Sequence, residues 1–236
     1  MASQANNSDR DLKQFRYERK FLITDFTYSD VLYFINCSNA AFIEEYPKRV
    51  INNIYFDTPD YISFHENIDG ISDRVKTRIR WYGEKFNRIK NPVLEFKIKE
   101  NMLGKKMSYK LKGINIEIGS SLDAFFNLVM DSPFLPYRQG IKLLCKVPIL
   151  ANRYKREYYK SYDGRFRLTV DENVKYIPIY NNKLGIHNSS TDHRSVIVEL
   201  KYASHLDFEA RKITSEFPFR STKNSKYVNG VFSLFG

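Results

Sequence analysis

Polar and apolar residues alternate with period two along several stretches of this chain, and that alternation predicts most of its strands. In Arg74-Val75-Lys76-Thr77-Arg78-Ile79-Arg80-Trp81 the even positions carry cations and the odd ones Val, Thr, Ile and Trp. Successive side chains of a strand point to opposite faces, so those cations fall on one surface. Leu94-Glu95-Phe96-Lys97-Ile98-Lys99 and Val198-Glu199-Leu200-Lys201-Tyr202 repeat the pattern. Further strands are predicted at Arg16–Ile23, Val50–Phe56, Lys105–Leu111, Val147–Tyr159 and Phe166–Tyr176. Arg74–Tyr82 and Val93–Lys99 read as a long hairpin joined through Gly83, Asn87 and Pro92.

Helical spacing covers Tyr28–Asn39, with Ser29 as its cap, and Leu122–Met130, capped by Ser120 or Ser121. Shorter helical signals lie at Tyr61–Asn67, Tyr137–Cys145, Asp207–Ser215 and Lys226–Leu234. Residues 1–14 read as a disordered leader, and the polar, turn-rich Asn181–Arg194 as a mobile loop. Residues 15–236 carry no linker rich enough to divide them, so one domain is expected. Strand-rich runs around a helical insert predict an α+β fold, an antiparallel sheet able to close into a β-barrel with helices packed outside.

Composition sharpens this. The chain has 236 residues, 17 Tyr and 18 Phe, and Lys+Arg exceed Asp+Glu by 38 to 27 for a net charge of +11. The aromatics favour strands, and the field favours anionic partners without choosing among them. Two cysteines, Cys37 and Cys145, make no disulfide framework and read as small core residues. There is no signal-peptide core and no run of about 18 apolar residues, so a cytoplasmic protein is expected.

A charged strand face is commonly just a solvated one. Here the charged faces are biased to Lys and Arg, while the opposite faces carry Trp81, Phe96 and Phe166, which need burial against helices. The alternative is therefore a water-filled interior lined by cations that holds an anion, since such a lining would be costly if dry. Phosphate chains suit it, because Arg pairs with phosphate oxygens bidentately and Lys supplies compact charges. Glu18, Glu95 and Glu199 would either pair with neighbouring cations or hold Mg²⁺ or Mn²⁺. No P-loop precedes Gly104-Lys105-Lys106, and neither H-E-x-x-H nor G-x-S-x-G occurs. The histidines His65, His187, His193 and His205 are scattered. No RNA-recognition or helix-turn-helix signature supports nucleic-acid binding, although basic residues interleave with aromatics.

Several segments together resemble a known family. Arg16-Tyr17-Glu18-Arg19-Lys20, Asn53-Ile54-Tyr55-Phe56-Asp57, Arg78-Ile79-Arg80-Trp81-Tyr82-Gly83 and Leu94-Glu95-Phe96-Lys97 are followed in order by Arg156-Glu157-Tyr158-Tyr159, Arg167-Leu168-Thr169-Val170-Asp171, Val198-Glu199-Leu200-Lys201 and Ser225-Lys226-Tyr227. The set resembles the VTC domain, the catalytic domain of vacuolar-transporter-chaperone polyphosphate polymerases, within the CYTH-like triphosphate tunnel metalloenzymes.

The resemblance implies a tunnel-like barrel whose interior cations grip a triphosphate. It implies catalytic roles for Arg78, Arg80, Lys97, Arg156 and Lys226, and phosphate contacts from Lys20, Lys106, Lys110, Arg167 and Lys201. Glu199, with Glu18, would hold the divalent metal. The implied activity is transfer of the γ-phosphate of ATP to a growing polyphosphate chain. A tripolyphosphatase or nucleoside triphosphatase on the same scaffold, and a non-catalytic polyanion-binding module, are the alternatives. Unlike the eukaryotic pattern, no phosphate-sensing SPX domain precedes the motifs and no transmembrane segment follows them. A stand-alone catalytic domain, or a piece of something larger, is the expectation.

Overall fold

A computed structural model describes residues 16–100, 103–116, 121–130 and 137–236, so the expected leader at 1–14 lies outside the described residues. The strands are β1 (Arg16–Ile23), β2 (Ile43–Asp57), β3 (Arg74–Tyr82), β4 (Arg88–Ile89), β5 (Val93–Glu100), β6 (Leu103–Lys110), β7 (Ile114–Asn115), β8 (Val147–Lys160), β9 (Arg167–Tyr180), β10 (Lys183–Leu184), β11 (Ser190–Asp192) and β12 (Val196–Ala203). The helices are α1 (Tyr28–Asn36), α2 (Ile62–Ile68), α3 (Asp123–Met130), α4 (Tyr137–Leu144), α5 (Asp207–Ser215) and α6 (Lys226–Phe235).

The class is α+β, with a mainly antiparallel sheet in the order β1-β12-β9-β8-β2-β3-β5-β6. Among the described residues no pairing joins β1 to β6, so the expected closure of the barrel by hydrogen bonds is not found. The stretch expected to be a mobile loop, Asn181–Arg194, instead holds β10 and β11, both paired with β9, and a 3₁₀ turn between them. Strands of two or three residues are too short to show a period, which is why they read as loop.

The chain forms two compact units. The first contains residues 16–48, 156–172 and 193–224. Its α1 starts at Thr27 rather than Ser29, because the Thr27 hydroxyl accepts from the Asp30 backbone while Asp30 accepts from the Thr27 backbone, a reciprocal cap. Val31 and Ile35 of α1 and Ala210 of α5 cover Phe21, Leu168, Val170, Val198 and Leu200 from β1, β9 and β12. Each such fully buried aliphatic or aromatic side chain contributes roughly 1.5–3 kcal/mol. With that face taken by the core, Glu18, Lys20, Arg167, Glu199 and Lys201 share the other: Glu18 stands opposite Lys201, itself opposite Arg167, and Lys20 opposite Glu199.

The second unit contains residues 49–155, 173–192 and 225–236. Ile54, Ile79 and Leu94 lie opposite one another on β2, β3 and β5. With Phe56, Trp81 and Phe96 they pack under Phe125 and Val129 of α3 and Leu143 of α4. The burial expected for Trp81 and Phe96 is therefore met, as it is for Phe166 in the first unit. Cys37 and Cys145 are exposed, contrary to the expectation that they fill cores; both lie just past the last turn of a short helix, where the chain turns outward.

Helix α6 packs against residues of the opposite surface, Leu150 and Tyr176. It can approach closely because Gly230 has no side chain: a Cβ there would come within 2.7 Å of Tyr176. Tyr227 stacks on Tyr55 with ring centroids 5.4 Å apart. Its hydroxyl donates to the fully buried Asp57 at 2.6 Å, and Asp57 also accepts from the backbone of Ser63 and Phe64 at the start of α2. One carboxylate thus ties α2 and α6 to the end of β2.

Candidate functional site

In the second unit the register of β3, β5 and β6 sets the charged residues side by side. Lys76, Lys97 and Lys106 form one cross-strand row, Arg78, Glu95 and Ser108 the next, and Arg80, Val93 and Lys110 the third. By the same register position 106 stands opposite Lys97 and position 105 opposite Ile98. Lys97, Lys106 and Lys110 are exposed, whereas the Arg78 and Arg80 side chains are 23 % and 13 % exposed.

Glu95 is the carboxylate of this group and is buried. Arg78 Nη2 approaches it at 2.6 Å and Nε at 2.7 Å, and Lys106 at 3.1 Å, while Arg80 comes only to 4.0 Å. Burial alone would raise the Glu95 carboxyl, but Arg78, Arg80 and Lys106 overcome it and lower it from 4.5 to about 2. Burial likewise works against the charge of Arg78; Glu95, Tyr55 and Tyr154 outweigh that and raise its pKa above the usual arginine value.

Arg80 has different partners. Its Nε donates to Asn53 Oδ1 at 3.0 Å and its Nη2 to the Tyr154 hydroxyl at 3.3 Å. The same Tyr154 ring lies 4.6 Å from Lys226 Nζ. Lys226 opens α6, whose cap Ser225 accepts from Lys76 at 2.9 Å, so the partial positive charge of that helix end adds to the field. Sequence reasoning singled out the cations, Lys76 among them though without a site role, and gave none to Asn53, Tyr55 and Tyr154, which contact the two arginines. Asn and Tyr within a strand carry no period of their own, so only the register could reveal them.

In the first unit Lys20 lies 3.3 Å from Glu18 and 3.9 Å from Glu199, and Lys201 3.3 Å from Glu199. Arg167, half exposed, lies 3.6 Å from Glu45. Two carboxylates reaching one ammonium from neighbouring strands are oxygen donors of the kind Mg²⁺ and Mn²⁺ prefer. No third Asp, Glu, His or Cys joins them among the described residues. Mg²⁺ commonly takes one or two carboxylates and completes its shell with phosphate oxygens and water.

Arg156 is placed differently from the other expected phosphate ligands. It is buried, and its Nε and Nη2 grip both oxygens of the buried Asp171 at 2.5 and 2.7 Å. A planar fork-to-fork pair of this kind is strong and geometrically specific. The structure therefore brings Arg78, Arg80, Lys97, Lys106, Lys110 and Lys226 together in one unit. It brings Glu18, Lys20, Arg167, Glu199 and Lys201 together in the other, and commits Arg156 to an ion pair.

Residues 15–235 match the VTC domain family. The chain belongs to that family. No curated protein sequence matches it. Among solved structures, this VTC-domain protein is similar in fold to a "putative adenylate cyclase" from Vibrio parahaemolyticus, with 10 % identity, a TM-score of 0.51, and coverage of 92 % of this chain and 98 % of that one. The PH1819 protein of Pyrococcus horikoshii aligns over the same shares with 14 % identity and a TM-score of 0.49. At such identities the first likeness concerns the fold alone. No helix of the VTC domain's described residues is long and apolar enough to cross a membrane.

Proposed function

We propose that this VTC-domain protein is a metal-dependent polyphosphate polymerase that transfers the γ-phosphate of ATP to the end of a growing polyphosphate chain. The observation that carries the reading is the cation excess around Glu95. One negative charge there faces three cations, Arg78 at 2.6 Å, Lys106 at 3.1 Å and Arg80 at 4.0 Å, and the strand register adds Lys97 and Lys110 to the same face. Membership of the VTC family supports a phosphate substrate.

In this reading Arg78, locked by Glu95, and Arg80, steadied by Asn53 and Tyr154, orient the phosphates. Lys97, Lys106, Lys110 and Lys226 supply further charge, and Lys20, Arg167 and Lys201 bind phosphates in the other unit. A bound Mg²⁺ or Mn²⁺, held by Glu199 and Glu18, would neutralise charge on the phosphate oxygens. A terminal phosphate oxygen of the acceptor chain forms a bond to the γ-phosphorus as the bond to the bridging oxygen of ADP breaks. The attacking oxygen is already anionic, so no protein base is required. Such transfer depends on positioning and charge neutralisation.

The test is the product. Incubation with ATP and Mn²⁺, resolved on a polyacrylamide gel, should give long phosphate chains and ADP. Free phosphate alone would replace the reading with a hydrolase. Tight polyphosphate binding with no turnover under any divalent metal would replace it with a receptor.

A further inference from the structure

Arg80 is steadied by a buried relay of neutral groups. An arginine can only donate hydrogen bonds, so Asn53 must present its oxygen to Arg80 Nε, at 3.0 Å. The amide of Asn53 then points the other way and donates to Asn152 Oδ1 at 2.7 Å. Both asparagines are completely buried, and they sit on adjacent strands, β2 and β8. The second hydrogen bond of Arg80, to the Tyr154 hydroxyl, is also to a neutral group, and the carboxylate of Glu95 stands off at 4.0 Å. A carboxylate of the same shape at position 53 would fit the same space.

We propose that Asn53, with Asn152 behind it, is a positioning residue whose neutrality is its function: it fixes the guanidinium of Arg80 without cancelling its charge. Arg78 shows the contrast. Two positions away on the same strand face, it is compensated by Glu95 at 2.6 Å, so it contributes less net field to an anion. The relay makes Arg80 the arginine of the pair whose charge goes to the phosphate. This rests on the phosphate-binding reading given above.

Asn53→Asp keeps the shape and the acceptor but pairs Arg80 with a carboxylate. Tripolyphosphate binding is measured by calorimetry for the full chain, for Asn53→Asp, for Arg80→Gln and for the double variant, with melting curves for each. The parent should bind, and Asn53→Asp should bind about tenfold or more weakly with its fold kept. In the Arg80→Gln background the same change should cost less than about twofold, because the two residues act as one unit. Should Asn53→Asp not fold, Asn53→Ala removes the acceptor without adding charge and should weaken binding only when Arg80 is present. Parent-like binding by Asn53→Asp, or an equal loss in both backgrounds, overturns the relay alone. A parent that does not bind tripolyphosphate removes the phosphate reading and the relay with it.

Discussion

Arg78 and Arg80 share one face of β3, yet Glu95 stands 2.6 Å from the first and 4.0 Å from the second. One carboxylate therefore holds two adjacent arginines unequally, Arg78 by direct hydrogen bonds and Arg80 at the outer limit of an ion pair. Its own depressed pKa makes this hold visible in stability.

Glu95 is lowered from 4.5 to about 2 in the folded chain. A carboxyl depressed on folding stabilises the protein above its unfolded pKa, and that contribution disappears as pH falls through the folded value. Stability should therefore drop between about pH 4.5 and 2 by on the order of 3 kcal/mol from this group. Denaturant titrations across that window should show the slope in the parent and a much flatter one in Glu95→Gln, which should also be less stable at pH 7.

Arg156 should behave as a structural residue first. Removing it takes away the guanidinium that grips both oxygens of the buried Asp171, and breaking such a buried pair costs about 3–5 kcal/mol. For a chain of this size that corresponds to a fall in Tm of roughly 6–20 °C. Arg156→Ala should show that fall by calorimetry, and a well-packed apolar replacement of both Arg156 and Asp171 should recover much of it. Arg80→Ala, by contrast, should lose phosphate binding with a smaller fall in Tm, since orphaning the buried Asn53 oxygen costs about 1–3 kcal/mol.

Tyr227→Phe deletes the hydroxyl that Asp57 accepts at 2.6 Å inside the fold. Burial, and then the hydrogen bond to Asp57, raise the Tyr227 pKa well beyond the ordinary phenol value, so the hydroxyl remains a donor at any working pH. Its loss should cost about 1–3 kcal/mol. Because Tyr227 follows Lys226 on α6, hydrogen exchange should report loosening at the start of that helix.

Much of this arrangement was legible in the chain itself. The alternation in Arg74–Trp81 places Ile79 and Trp81 under α3 and α4 and the arginines on the other face, because large apolar groups at period two leave the sheet only one way to turn. The first half of β2, Ile43–Arg49, gave no such signal: it contains Pro47 and is mostly exposed. Strand β9 changes phase at Asn173, which adopts a left-handed φ of 53°. Its core positions are even before that residue (Leu168, Val170) and odd after it (Ile177, Ile179). An Asn tolerates that conformation, but a simple alternation cannot carry through it. Arg156 drew its phosphate-binding role from the family resemblance, and nothing in the sequence marks Asp171, fifteen positions on, as its ion-pair partner. Asn53 stands in one of the family motifs but drew no role from it, because an amide in a strand announces no chemistry until its neighbours are known.

Glu199 is the residue expected to distinguish metal binding from charge pairing. Glu199→Gln keeps the hydrogen-bonding shape but loses the anionic oxygen that Lys20 and Lys201 share. The half-saturating Mn²⁺ concentration for turnover should rise by on the order of tenfold or more, with tripolyphosphate binding in the absence of metal largely kept. An unchanged metal dependence would leave Glu199 as an ion-pair partner only.

The most direct measurement is the rate at which label from γ-labelled ATP enters polyphosphate chains, for the parent and for Arg80→Ala at matched folding. The account predicts labelled chains from the parent and a loss on the order of 10²-fold or more in the variant, the size expected for removing a few kcal/mol of charge stabilisation. Chains built by Arg80→Ala at the parent rate would contradict it.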